Sequence, residues 1–421
     1  MSPPASPFAF PAFRAFFAAK LASTLAQMMM VVVIGWQVYD LARASRSVPE
    51  AAFLLGMVGL AQFLPVFGLV LVVGIIADRL DRRHIARAAI ALELLCAATL
   101  AGLALAGSTA LWPLFAVAFV LGVARAFAAP SLSALAPNLV PPAVLPTAIA
   151  WNSIGWQVGA IGGPAAGGLL FALAPATPYL VACVLLLVAL VALFLIAPVP
   201  RPAPSPLTPW QSMKEGLVYV RRNRIVLGAI SLDLFAVLLG GATAMLPIYA
   251  RDILMVGPDG LGLLRAAPAA GAALTALLLT QRPLKQGVGV KMFASVAIFG
   301  LATVVFGLST LFWLSLASLV VLGAADMVSV YIRSSLIQLH TPDAMRGRVS
   351  SVSMLFVSAS NELGEFESGV TAAAVGAVES VVIGGALAIV VTLLWARWFP
   401  ELRNADRLDE APVQGETAKA G

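Results

Sequence analysis

The sequence predicts an all-α membrane protein: twelve transmembrane helices in two six-helix bundles related by a pseudo-twofold axis. Three observations predict it. The 421 residues are 61% hydrophobic and 11% charged, with a mean hydropathy of +0.97, whereas soluble domains carry about 25% charged residues. Twelve apolar runs approach or exceed the length that a bilayer requires of a helix, about 20 residues. A polar segment divides those runs six and six, the repeat layout of transporters. So few charges cannot solvate an ordinary soluble enzyme, and disorder needs the opposite composition.

The first run covers 16–40. Met1 to Pro11 carries no positive charge, and the run exceeds the 7–15 or so residues of a secretory h-region, so it reads as a membrane helix. Runs 53–77 and 85–106 flank an arginine-rich loop, and 111–132 follows after four residues, a tight hairpin. Runs 147–173 and 178–198 complete the first half. The segment 199–224 starts with Pro200, Pro202, Pro204, Pro206 and Pro209, a stiff extended composition. It continues as Trp210 to Asn223, an amphipathic surface helix. The second half gives 225–250, 260–281, 291–309, 311–338, 349–376 and 378–399. The domain reading is therefore 1–198 for one bundle, 199–224 for a linker, 225–400 for the second bundle and 401–421 for a tail.

Twenty of the 26 lysines and arginines fall on the side that holds both termini and the linker. Four, Arg43, Arg46, Arg251 and Arg265, fall on the other, and Arg125 and Arg333 lie inside spans. Cytoplasmic loops carry the lysine and arginine excess, so both termini are expected in the cytoplasm. Cys96 and Cys183 have no partner motif, and His84 and His340 sit in separate loops. No metal site and no cofactor is expected.

The loop after the second run reads Gly74-Ile-Ile-Ala-Asp78-Arg79-Leu-Asp81-Arg82-Arg83. It resembles the GxxxDRxGRR signature of the major facilitator superfamily, at the position where that family carries it, with Asp81 in place of the glycine. The fifth run holds Gly159, Gly163, Pro164, Gly167 and Gly168 and is similar to the family's antiport-type signature GxxxGPxxGG. Glycine at every fourth position makes a stripe that admits a neighbouring helix closely, and Pro164 removes a helix hydrogen bond. Ser231 to Ala250, Thr341 to Arg348 and Asn361 to Gly369 resemble the branch that contains the enterobactin exporter and drug:proton antiporters. The resemblance implies the major facilitator fold, a cavity lined by spans 1, 4, 7 and 10, and a gating charge relay through Asp78 and Arg82.

Ionisable residues at mid-bilayer cost about 2.5–3.5 kcal/mol or more and persist when paired, wetted or functional. Glu362 and Glu365, three apart, share a helix face. Two carboxylates there disfavour joint ionisation, which is what a proton carrier needs. With Asp233, Asp326 and Glu367 they are the candidate proton-coupling acids; the competing reading is a salt bridge to a neighbouring arginine. Arg125, Arg333, Trp36, Gln37 and Tyr39 are the candidate cavity residues, although an interfacial belt explains the aromatics equally. Glu93, on a helix that this architecture puts at the periphery, reads as structural.

The expected function is a monomeric exporter of the bacterial inner membrane. It would exchange protons for a small amphipathic organic molecule, siderophore or drug-like, with the bilayer as its other partner and no nucleic acid. Without a Walker A sequence, ATP is not its energy source. An uptake symporter or lipid flippase of the same fold is the alternative. A polytopic membrane enzyme would need a catalytic cluster that two histidines and two cysteines do not provide.

Overall fold

The computed structural model describes residues 6–198, 209–284 and 286–406, with the side chains of residues 70, 71, 74, 75, 77–79, 209 and 344 outside that description. The proline-rich start of the linker and the tail from 407 therefore lie outside the described residues. The first bundle comprises α1 (Pro11–Arg43), α2 (Val48–Arg79), α3 (Arg82–Leu105), α4 (Trp112–Leu135), α5 (Leu145–Leu173) and α6 (Thr177–Phe194). A surface helix, α7 (Pro209–Arg222), precedes α8 (Arg224–Leu239), α9 (Gly257–Gln281), α10 (Val288–Leu308), α11 (Phe312–Leu339), α12 (Asp343–Val375) and α13 (Ala377–Trp398).

Eleven described helices are apolar and long enough to cross a membrane. The twelfth, α12, is 33 residues long but carries Glu362, Glu365 and Glu367 at its centre. The chain is an all-α protein of the major facilitator fold, two six-helix bundles of alternating helix direction.

Local chemistry sets the ends. Ser47 and Glu50 cap α2 reciprocally, and Asn223 caps α8 by accepting from the Val226 amide at 3.1 Å. Gly376, at φ +108°, makes the one-residue turn between α12 and α13, a conformation in which a Cβ is strained. Run 225–250 does not continue as one helix. α8 stops at Gly240, and Ala242–Met245, Leu246–Ile248 and Tyr249–Ile253 follow as short 3-10, α and π turns. A Cβ on Gly241 would collide with the Ser368 side chain and the Gly364 carbonyl, so the break lets this segment lie against α12.

Each bundle has its own apolar interior, around Phe16, Met30, Ile90 and Leu186 in the first and Leu232, Met292, Ile332 and Leu336 in the second. A third cluster crosses the boundary. Trp36, Tyr39 and Leu55 pack with Leu246, Tyr249, Leu261 and Leu322, in the half remote from the chain termini. Glycines bring the backbones together there. Gly56 meets Gly369, and Gly168 meets Gly262 and the Pro258 carbonyl. The α5 glycine stripe faces α1, with Gly159 against Thr24, Gly163 against Met28 and Gly167 against Met29. The helix α7 lies on α12, where Gly216 sits under the Arg348 carbonyl, Glu215 takes Arg348 at 2.5 Å and Tyr219 donates to the His340 carbonyl.

Candidate functional site: the cavity between the bundles

In the half nearer the termini the bundles enclose a cavity of about 910 Å³, including the space at its mouth. Its polar lining includes Lys20, Gln27, Arg125, Asn361 and Glu362, and Trp156 adds an aromatic face. At the boundary Arg125 of α4 donates to Gln62 of α2 at 2.9 Å and to Glu362 of α12 at 3.1 Å. The pair therefore ties one bundle to the other. Next to it is a second space of about 440 Å³, lined by Gly35, Gln62, Pro247, Arg265 and Glu365. There Arg265 of α9 holds Glu365 at 3.0 Å and the Thr243 carbonyl at 2.8 Å. Glu362 and Glu365, neighbours on one helix face, are thus taken by arginines from different bundles.

Asp233 and Arg333 form an ion pair inside the second bundle, each side chain 7% exposed. They sit beside Asp326 and Ser329, and a 240 Å³ space is lined by Asp233, Asp326 and Ser329. The Ser329 hydroxyl has no partner among the described residues. Glu367 accepts from Thr371 at 2.8 Å, one turn along its own helix. The three span 1 residues do not line the large cavity. Gln37 accepts from the buried Tyr179 hydroxyl at 2.7 Å, Trp36 belongs to the cross-boundary apolar cluster, and Tyr39 donates to Asp252.

Tyr39 belongs to a feature that sequence reading passed over. Asp252 takes Arg43 at 3.2 Å as well as Tyr39, and Arg251 takes Asp40 at 3.2 Å. The two ion pairs cross between the end of α1 and the segment after α8, closing the boundary at the end remote from the termini. The available signal was the similar placing of Tyr39-Asp40 and Arg251-Asp252 at the ends of the first and seventh spans. All four charged side chains are 25% exposed or more, so each pair is worth at most about 1 kcal/mol. Asp252→Asn is expected to raise the population open at that end about fivefold, measured by labelling of cysteines placed along the remote half of α2. Unchanged labelling would mean that the pairs do not hold the closure.

The loop motif lies at the opposite end. Asp78, Arg79 and Gly74 have side chains outside the described residues. Arg82 donates to the Ala134 carbonyl at 3.2 Å, a contact within its own bundle. Arg83 is buried, paired with Asp81 at 2.6 Å and donating to the Ile196 carbonyl at 3.0 Å. Asp81, which replaces the family glycine, has φ −65° and caps α3 by accepting from the Arg83 amide. No left-handed backbone is required there. Hydrogen bonds from the Arg83 side chain hold the Asp81 carboxyl down at about 2. No group of three or more His, Cys, Asp or Glu side chains that could hold a metal occurs among the described residues.

A family model described as transmembrane secretion effector matches residues 2–418. Among curated proteins, the enterobactin exporter of Citrobacter koseri is 27% identical over 410 residues, covering 94% of this chain and 93% of that protein. The enterobactin exporter of Shigella boydii is 28% identical over 358 residues, covering 81% and 80%. Solved structures share the fold at lower identity. A POT family transporter superposes with a TM-score of 0.74 at 14% identity, over 94% of this chain and 99% of that one. An inward-facing, unoccupied bacterial homologue of the human lysosomal transporter Spinster gives a TM-score of 0.69 at 18% identity, over 93% and 98%.

Proposed function

Because the chain belongs to the transmembrane secretion effector family of the major facilitator superfamily, a family of multi-pass membrane transporters, we propose that it exports an amphipathic organic anion from the cytoplasm in exchange for protons. The substrate class is a catecholate siderophore or a compound of similar charge and shape, and the site of action is the bacterial inner membrane with both termini cytoplasmic. The observation that carries this reading is the cross-boundary pair Arg125–Glu362 at the wall of a polar cavity. An anionic substrate entering beside Lys20 and Trp156 competes with Glu362 for the Arg125 guanidinium. Phenolate or carboxylate oxygens fit its donor fork, and an aromatic acid stacks on the indole face. Taking Arg125 away from Glu362 loosens the bundles where they must part, so substrate binding and reorientation are linked. With the termini cytoplasmic, the conformation described is inward-facing: the cavity lies on the cytoplasmic side and the ion pairs at Asp40 and Asp252 close the outer side. The likeness to enterobactin exporters supports the substrate class.

Inside-out vesicles with an acidic interior test this reading. Enterobactin is expected to accumulate in proportion to the imposed pH gradient and to stop when a protonophore is added. Arg125→Gln should lower that rate about tenfold or more, the loss of one charge-assisted hydrogen bond. Accumulation in right-side-out vesicles instead would favour the uptake symporter, and transport indifferent to the pH gradient would sink the antiport mechanism.

A further inference from the structure

Glu93 of α3 is wholly buried in the first bundle. Its Oε1 accepts from Gln27 Nε2 of α1 at 2.6 Å, and its Oε2 has no hydrogen-bond partner among the described residues. A carboxylate there would leave one charged oxygen unsolvated in an apolar interior, a cost of several kcal/mol that the neutral acid avoids. The neighbouring elements provide few charges. From α1 come Gln27 and, further along, Lys20. From α3 itself comes the buried Cys96. Helix α6 brings no charged side chain. From α4 comes Arg125, which lines the same cavity as Gln27, the partner of Glu93.

In this conformation that cation is engaged elsewhere, by Gln62 and by Glu362. Glu362 belongs to the second bundle and the other three side chains to the first. The Arg125–Glu362 contact crosses between the bundles, whereas Arg125 and Glu93 belong to one bundle and travel together, because α3 packs directly on α4.

We propose that Glu93 is a proton-binding group of this transporter and that Arg125 alternates between Glu362 and Glu93. This rests on the antiport reading above and names the site that would perform it. In the form described, Glu93 holds its proton and Arg125 locks the bundles through Glu362. Gln27 touches Glu93 and also lines the large cavity, which is roomy and polar enough to hold water. The O–H bond of Glu93 breaks, the proton passes to that water, and the new carboxylate draws Arg125 to itself. Glu362 is left facing the polar cavity. The lock across the boundary opens and the bundles are free to reorient. Protonation of Glu93 from the other face releases Arg125 back to Glu362 and restores the first form. One proton enters for each outward passage of substrate, the direction that export by antiport needs. The form described binds one more proton than its alternative, so low pH favours it and high pH favours the form open at the remote end.

The test needs no substrate, so it is independent of whether enterobactin is transported. Spin labels on Arg46→Cys and Thr310→Cys, in a Cys183→Ser background, report the distance between the bundles at the remote end in nanodiscs of the full chain. Between about pH 6 and about pH 9 the open-to-closed ratio is expected to rise by up to about tenfold per pH unit, the limit for one linked proton. Glu93→Gln should stay closed across that range, Glu93→Asp should restore the pH dependence, and Glu362→Gln should be open throughout. The infrared band of a protonated carboxyl group, present in the wild type near neutral pH, should be missing in Glu93→Gln and displaced in Glu93→Asp, which covers the case of a poorly folded amide variant. A pH-dependent distance that survives in Glu93→Gln, a wild type with no pH dependence, or a carboxyl band that persists in Glu93→Gln would each overturn the proposal. Loss of enterobactin transport with this switch intact would count against the substrate assignment alone.

Discussion

Asp233→Asn is expected to destabilise the protein by about 3–5 kcal/mol, because it strands the Arg333 guanidinium inside the second bundle without its counter-ion. Both side chains are 7% exposed, so water cannot take over from the lost carboxylate. Thermal unfolding in a mild detergent measures the effect. A second variant shows whether charge pairing is the cause. Asp233→Leu combined with Arg333→Met removes both ions and should recover most of the loss, since replacing a buried pair by apolar groups of similar volume is often neutral. A stable Asp233→Asn that has lost only uphill transport would instead make Asp233 a proton carrier. The geometry favours the structural outcome: Asp233 has an arginine of its own, which Glu93 does not.

Gly168→Leu is expected to prevent closure at the remote end. A Cβ at this position would already lie 2.9 Å from the Gly262 Cα and amide nitrogen, both backbone atoms of the opposite bundle. Backbone cannot rotate aside as a flexible side chain can, so the whole interface must part. Overpacking of this kind costs about 1–3 kcal/mol, a shift of about five- to 150-fold toward the form open at that end. Gly167→Leu is the informative contrast. Its neighbours are Met29 atoms of the same bundle, so it should weaken α1–α5 packing without biasing the two-state equilibrium. Cross-linking of cysteines placed on α5 and α9 near Gly168 and Gly262 separates these outcomes, and equal cross-linking in both variants would show that Gly168 does not govern closure.

Much of this was legible before any coordinates. Eleven of the twelve apolar runs fell on single helices, 311–338 becoming Phe312–Leu339 with a one-residue shift, whereas 225–250 broke at Gly240. The bilayer is the reason: a helix that must satisfy its own backbone in hydrocarbon announces itself by length and hydropathy alone. Glycine spacing revealed the α5 stripe, because the helical period is local. The pairings were not legible. Glu362 and Glu365 stand three residues apart, yet one is held by Arg125 of α4 and the other by Arg265 of α9. Glu93, on a helix read as peripheral and itself read as structural, is buried and accepts from Gln27 of α1. The crossed ion pairs at Asp40 and Asp252 join residues more than 200 positions apart. Composition and period describe what a helix must bury, and those are properties of a single segment. Which acid meets which arginine depends on how far each helix is rotated and which bundle it faces. That is settled by packing among many helices, where a rotation of one residue turns a side chain by about 100°.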